Sequence, residues 1–316
     1  MNFQDLLYLS AQCAKEAGQI IVQISTEDDI NVISKGIAGP VTRADKTVER
    51  MIVSTFNKYF PNLSIVGEED EEPHDEYALA YSKPPASHPF KDCPLYDIDD
   101  IIAYIDPLDG TRDFVATVDD STSDYRKNVT TLIGFTLKST KQCVAGVVHF
   151  PFSEPNGHSV IGIVETKQVF GLQSSSMPNP NTVIYTQWAP YNTISEMDMY
   201  GSMLNIINST MDIKQVFRAG GMGSKAVFAL NAGGIYVDCG TGSKRWDSCA
   251  PEAIVRAAGG HVCDIVGDSI VYDPSLPIRN ETGVVFFHPL AFEKHSALVD
   301  GRLMAVLEHV MDSWKK

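Results

Sequence analysis

The stretch that most restricts this chain is Ile101-Ile102-Ala103-Tyr104-Ile105-Asp106-Pro107-Leu108-Asp109-Gly110-Thr111. Its opening apolar run reads as a buried strand. The strand is expected to stop at Asp106-Pro107, because proline gives no ladder hydrogen bond and restricts the residue before it. Asp109-Gly110 then makes a turn. Two carboxylates and a hydroxyl are thus carried to one strand end, where α/β folds build their sites. An ordinary Asp-Pro-Gly turn has the same composition, so the rest of the chain must decide between the two.

At 316 residues, 44% of them hydrophobic, the chain can bury a large core and suits about two domains or one large one. Its net charge of −15 argues against nucleic acid as a partner. A small anionic substrate remains compatible, provided a cation stands between it and the acidic groups. The cysteines (Cys13, Cys93, Cys143, Cys239, Cys249, Cys263) form no C-x-x-C pair and read as reduced core residues. Asp5 and Lys15 interrupt the first apolar residues, which lack a basic leader, and no apolar run approaches ~20 residues. A cytoplasmic protein without a membrane partner is expected.

Helical periodicity predicts an opening helix (Phe3, Leu6, Leu7, Ala14, Ala17, Ile21, Ile24) and a second one (Val48, Met51, Ile52, Thr55, Phe56, Tyr59). Thr42-Arg43-Ala44-Asp45 has the spacing of a capping box for the second. A strand at 63–67 runs into Glu68-Glu69-Asp70-Glu71-Glu72, and 73–96 reads as surface loop. Runs at 129–137 and 144–150, then 160–164 and 169–170, make this half α+β with an antiparallel sheet. Ser174 to Pro180 is the candidate linker. Beyond it, strands at 183–185, 215–217 and 235–239 alternate with helices at 194–207, from Gly220-Gly221-Met222-Gly223-Ser224-Lys225 through Leu230, and from Trp246-Asp247 to Gly259-Gly260. A closing helix carries Leu298, Met304, Leu307 and Val310. Alternation of this kind argues α/β. The expected fold is a layered αβαβα sandwich, with an α+β metal and catalytic domain over 1–180 and an α/β substrate-binding domain over 181–316.

Three carboxylate clusters fall at strand ends or helix starts: Glu68-Glu69, Asp106 with Asp109, and Asp247. Each has a plainer reading. Glu68-Glu69 opens an acidic run of the kind that usually faces solvent, Asp247 could serve as a helix N-cap, and Asp45 could be only the far member of the capping box. If they converge, they cannot all ionise without a counter-charge. Hard oxygen ligands without His or Cys point to Mg²⁺ rather than Zn²⁺, and such a site is mostly used on phosphate groups. Spacing rules out two alternatives. A dehalogenase-type phosphatase needs Asp-x-Asp-Gly-Thr, and Gly220 to Lys225 lacks the spacing of a P-loop. That glycine stretch is open to two readings, an anion seat at a helix start or an ordinary strand-to-helix turn.

Together, Pro40-Val41-Thr42-Arg43-Ala44-Asp45, Gly67-Glu68-Glu69-Asp70, Asp106-Pro107-Leu108-Asp109-Gly110-Thr111 and Trp246-Asp247 resemble the lithium-sensitive, Mg²⁺-dependent phosphatases of the inositol monophosphatase superfamily. Val129-Thr130-Thr131-Leu132-Ile133-Gly134, the 220–225 loop and Arg245-Trp246-Asp247-Ser248-Cys249-Ala250-Pro251-Glu252 are most similar to its 3′(2′),5′-bisphosphate nucleotidase branch, with the inositol polyphosphate 1-phosphatases as near relatives. The resemblance implies two to three Mg²⁺ ions. Glu68, Asp106 and the Leu108 carbonyl would hold the first. Asp106, Asp109 and Asp247 would hold the second. Glu68, with Glu69 through water, would help hold a third. It implies that Gly110 and Thr111 offer amides to phosphate, that Asp45 and the Thr111 hydroxyl activate water, and that Gly221 and Lys225 contact the rest of the substrate. Li⁺ would inhibit. The implied substrate is a small bisphosphorylated nucleotide or inositol, and a monomer is expected. A Ser-x-x-His-like element of the nucleotidases is replaced here by Thr186-Gln187-Trp188-Ala189-Pro190-Tyr191, without a histidine. A non-enzymatic acidic metal-binding module would not need the Asp45–Thr111 pair.

Overall fold

The computed structural model describes residues 1–27, 29–34, 36, 39–118, 123–153, 155–173, 177–186, 215–238 and 242–299. The expected helix at 194–207, Trp188, Tyr191, Cys239 and the closing-helix positions Met304, Leu307 and Val310 lie outside them.

Helix α1 (Phe3–Ile24) is closed at its start by reciprocal hydrogen bonds between Asn2 and Asp5. A short ribbon, β1 (Ile33–Ser34) and β2 (Pro40–Val41), leads into α2 (Arg43–Tyr59). Thr42 caps α2, and Asp45 returns a carboxylate oxygen to the Thr42 amide, as the sequence spacing predicts. Then come β3 (Ser64–Gly67), β4 (Ile101–Asp109), α3 (Thr111–Val118), β5 (Thr130–Leu137), β6 (Cys143–Phe150), β7 (His158–Ile163) and β8 (Gln168–Phe170). These six strands form one sheet in chain order. The sheet is not wholly antiparallel: β3 pairs with β4 in parallel, so the ends of both strands deliver their carboxylates to the same edge.

The strand also does not stop at Asp106-Pro107. It continues to Asp109, and its register with β5 shifts between Asp106 and Asp109. A bulge leaves one residue outside the ladder, which is where a proline fits inside a strand.

After the chain crosses to the second half, β9 (Thr182–Thr186), β10 (Gln215–Ala219), α4 (Met222–Ala232), β11 (Ile235–Asp238), α5 (Arg245–Ala257), β12 (His261–Cys263), β13 (Val284–Phe287) and α6 (Pro289–Val299) follow. The second sheet has the order β10-β9-β11-β13-β12. Its first three strands are parallel and β13 runs antiparallel to both β11 and β12, so the sheet of this α/β half is mixed rather than wholly parallel.

The layering follows from period-two alternation. Ile101, Ala103 and Ile105 of β4 belong to the same apolar core as α1 and α2, while Ile102 and Tyr104 belong to the one that holds α4 and α5. In the second sheet Val284 and Phe286 join that same middle layer. Phe287 points the other way, against Phe292 of α6 at 5.7 Å. The order is αβαβα. The five described cysteines are free and buried, and among the described residues no helix is long and apolar enough to cross a membrane.

One feature of the sheet sets the position of α5. Gly134, Gly146 and Gly162 lie side by side across β5, β6 and β7. A Cβ on Gly134 would stand 2.6 Å from the Ala250 amide, one on Gly146 2.6 Å from the Ala250 Cα, and one on Gly162 2.6 Å from the Ile254 Cα. Bare backbone lets the helix lie directly on the sheet, and its first turn, with Asp247, thereby reaches the β3–β4 edge.

Candidate active site

The carboxyl ends of β3 and β4, the starts of α4 and α5, and the 242–244 loop surround one cavity, lined among others by Glu68, Glu69, Asp106, Leu108, Asp109, Gly110, Thr111, Gly221, Lys225, Lys244 and Asp247. All the predicted residues except Asp45 line it. Asp45 stands behind the wall, 2% exposed, and reaches the cavity only through the Thr111 hydroxyl at 3.1 Å.

Glu68, Asp106 and Asp247 each offer an oxygen within 4.8 Å of the others. Burial is the main reason Asp106 is held well above the usual carboxylate range, followed by the charges of Glu68, Asp109 and Asp247. Burial, opposed by Lys244, pushes Asp247 up to about 7. Asp247 is not the N-cap of α5. Lys244 holds that position, and Asp247, three residues later, accepts the Lys244 amide at 2.6 Å. This leaves the rest of the carboxylate facing the cavity. The donor set is all oxygen, crowded and short of positive charge, which fits a hard divalent cation.

Asp109 is placed differently. Its Oδ1 accepts the Met222 amide at 2.9 Å, and its Oδ2 accepts the Gly223 amide at 2.7 Å and the Thr130 hydroxyl at 2.9 Å. Burial raises its pKa while the Met222 and Gly223 amides oppose the rise, and the carboxylate sits on the N-terminus of α4. The helix start after the glycine stretch is therefore taken by a carboxylate from within the protein. Two glycines make this possible. Gly110 (φ +87°) and Gly221 (φ +61°) both lie against the Asn128 carbonyl, where Cβ atoms would stand 3.0 and 2.5 Å from its oxygen.

Asp45 carries its Oδ2 on the Thr42 amide (2.7 Å) and hydroxyl (2.6 Å), and its Oδ1 faces Thr111. Burial, only partly offset by the Thr42 bonds, raises its pKa to about 7. The Thr111 hydroxyl has one proton and two acceptors in reach, Asp45 and the Leu108 carbonyl at 3.0 Å. When it donates to Asp45, its oxygen is left to accept a hydrogen bond from a molecule in the cavity that Thr111 lines.

Lys225 lies in the wall, 5% exposed, its Nζ 4.8 Å from the centre of the Tyr236 ring. Burial lowers its pKa, while Asp238, Asp109, Asp113 and Asp247 hold the charge in place.

Two contributors escaped the sequence reading. Glu49, fully buried one turn after Asp45 on α2, accepts the Glu69 amide at 2.9 Å and the Glu71 amide at 3.1 Å and so folds the acidic loop. Burial, partly offset by these amides, raises its pKa to about 7. Its signal was a carboxylate on an otherwise apolar helix face. Lys244 donates to Glu68 at 2.9 Å. Its signal was the need of so many carboxylates for a counter-charge.

The fold and the carboxylate cavity fit a phosphoric monoester hydrolase, the class that the family match and the named relatives show. A model of the inositol monophosphatase family matches residues 2–299, and the chain belongs to that family. The rat 3′(2′),5′-bisphosphate nucleotidase 1 is 28% identical over 292 residues, spanning 86% of this chain and 87% of that protein. The Dictyostelium discoideum protein of the same name is 28% identical over 326 residues, spanning 95% and 96%. An IMPase structure from Thermotoga maritima superposes with a TM-score of 0.65 at 20% identity, covering 98% of this chain and 99% of that one, and shares the fold.

Proposed function

We propose that this phosphatase is a Mg²⁺-dependent 3′(2′),5′-bisphosphate nucleotidase that removes the 3′-phosphate of 3′-phosphoadenosine 5′-phosphate, with inositol 1,4-bisphosphate as a second substrate. The observation that carries the metal chemistry is the convergence of Glu68, Asp106 and Asp247 beside an Asp45–Thr111 pair. Glu68, Asp106, the Leu108 carbonyl, Asp109 and Asp247 would hold two to three ions, with Glu69 acting through water. Mg²⁺ held by these residues would supply a water of lowered pKa and positive charge for the phosphoryl oxygens.

The protein's own part is orientation and proton transfer. The Thr111 hydroxyl donates to Asp45 and accepts from the attacking water, so a proton leaves the water along this pair. A base of pKa about 7 suits that task near neutral pH. Gly110 and Thr111, at the start of α3, offer amides to the phosphate. Attack is in line, without a phospho-enzyme. The functional division of the chain would follow its two halves, 1–180 for metal and catalysis and 181–316 for the substrate.

The nucleotidase reading is supported by the relatives of that name. The inositol reading is supported by the absence of a histidine in 186–191. Gly221 and Lys225 would sit beside the second phosphate. A substrate panel with free-phosphate readout tests the reading. The bisphosphates should be turned over well above AMP. Rapid hydrolysis of AMP itself would overturn it.

A further inference from the structure

Lys244 has a fixed backbone and a side chain in a contested place. Its amide is held by Asp247 at 2.6 Å and its carbonyl by the Asn280 side chain at 3.0 Å, and it bridges Arg279 on the adjacent loop. Its ammonium, by contrast, reaches the Glu68 carboxylate at 2.9 Å while lying 5.1 Å from the centre of the Trp246 ring. Glu68 is one of the three residues whose oxygens meet within 4.8 Å. An ammonium and a divalent cation on the same carboxylate repel each other. Both side chains of the pair are only about one-fifth exposed, so this competition is weakly screened by water.

We propose that Lys244 is an exchangeable counter-cation: its ammonium neutralises Glu68 until metal ions enter the carboxylate cluster, and is then released into the cavity to meet the anionic substrate. Metal binding and anion binding are thereby coupled through one side chain, in addition to any direct contact of the ions with phosphate. This rests on the metal-dependent reading above and deepens it. Lys244 acts here as a substrate-contacting residue once it is released from Glu68. It neither activates water nor leaves its own loop.

The exchange has two measurable signatures. In full-length protein, calorimetric titration of Mg²⁺ alone should show Lys244→Met binding about tenfold more tightly than wild type, since the ion no longer displaces a cation. Titration of inorganic phosphate into the Mg²⁺-saturated proteins should show the opposite order, with Lys244→Met several-fold weaker and Lys244→Arg restoring both values. A merely structural lysine would not move the two affinities in opposite directions.

The second signature needs no change at Lys244. In a Trp188→Phe/Trp314→Phe background, Trp246 is the sole indole. Its emission should change with Mg²⁺ and saturate at the calorimetric affinity. An unchanged or weakened Mg²⁺ affinity in Lys244→Met, or a Trp246 signal indifferent to Mg²⁺, overturns the exchange while leaving the phosphatase reading in place. No Mg²⁺ binding by any of the proteins removes both.

Discussion

The Oδ1 of Asp109 accepts the backbone amide of Met222 at 2.9 Å, which ties the end of the central strand to the first turn of a helix 113 residues further on. With the Gly223 amide on its other oxygen, Asp109 locks the two halves of the chain together at the floor of the cavity. The residue has a structural burden besides the metal-ligand role proposed for it.

Asp109→Asn is therefore expected to lose both activity and stability. An amide NH₂ in place of one oxygen would face backbone donors, at a cost of about 2–3 kcal/mol. Asp247→Asn should lose activity by several decades with a smaller stability change. Urea denaturation beside phosphate-release assays separates them. Equal stability of the two variants would contradict the bonding described.

Thr111→Ala is expected to lower kcat by roughly 10²–10³-fold with little change in KM, because the hydroxyl positions a water and passes its proton. Steady-state kinetics with Mg²⁺ binding as a control decides it. A loss confined to KM would show that Thr111 binds substrate instead.

Gly146→Ala should be far more damaging than its single methyl suggests. The new Cβ would press on the Ala250 Cα and carbonyl, so α5 must lift from the sheet. A destabilisation of about 2–4 kcal/mol is expected, together with lost turnover, since Asp247 travels with the helix. Near-normal denaturation and activity would mean that the helix seat tolerates displacement.

His149 should make the protein acid-sensitive. Its ring is buried against Gly18 and Gly157, with Ser159 on Nδ1 at 2.8 Å. Burial, then the nearby charges of His158 and Lys15, lower its pKa from 6.5 to about 4. The unfolded chain takes up the proton first. Stability from this residue is full above pH 6.5 and falls with decreasing pH toward 4, by about 1.4 kcal/mol per unit. His149→Gln should reduce the pH 7 to pH 5 stability difference by ~2 kcal/mol, as read by urea titration. A variant with the wild-type pH dependence would assign the acid sensitivity elsewhere.

Li⁺ is expected to inhibit at millimolar concentrations or below. A small hard monovalent ion can enter a carboxylate site without supplying the same charge. Phosphate release measured against Li⁺, with Na⁺ at equal ionic strength, is the check. Indifference to Li⁺ would place the chain outside the sensitive branch of its family.

By itself, the sequence determined the local chemistry. The capping box at Thr42–Asp45, the apolar faces of α1 and α2, the acidic residues at strand ends and the order of strands and helices all follow from spacing and periodicity, which act over a few residues. The tertiary structure decided what those residues meet. Pro107 has the local signature of a strand stop, yet a bulge beside β5 carries β4 through to Asp109. Local pattern leaves the stretch from Gly220 to Lys225 open between an anion seat and a plain turn. The chain settles it internally, because Asp109 arrives there from another sheet. Glu49 beneath the acidic loop and Lys244 on Glu68 leave only a faint mark in the sequence, which does not name their partners. Their partners are 20 and 176 residues away. Contacts at that range are set by how whole layers pack, as with α5 on its track of three glycines, and a local pattern carries no record of them.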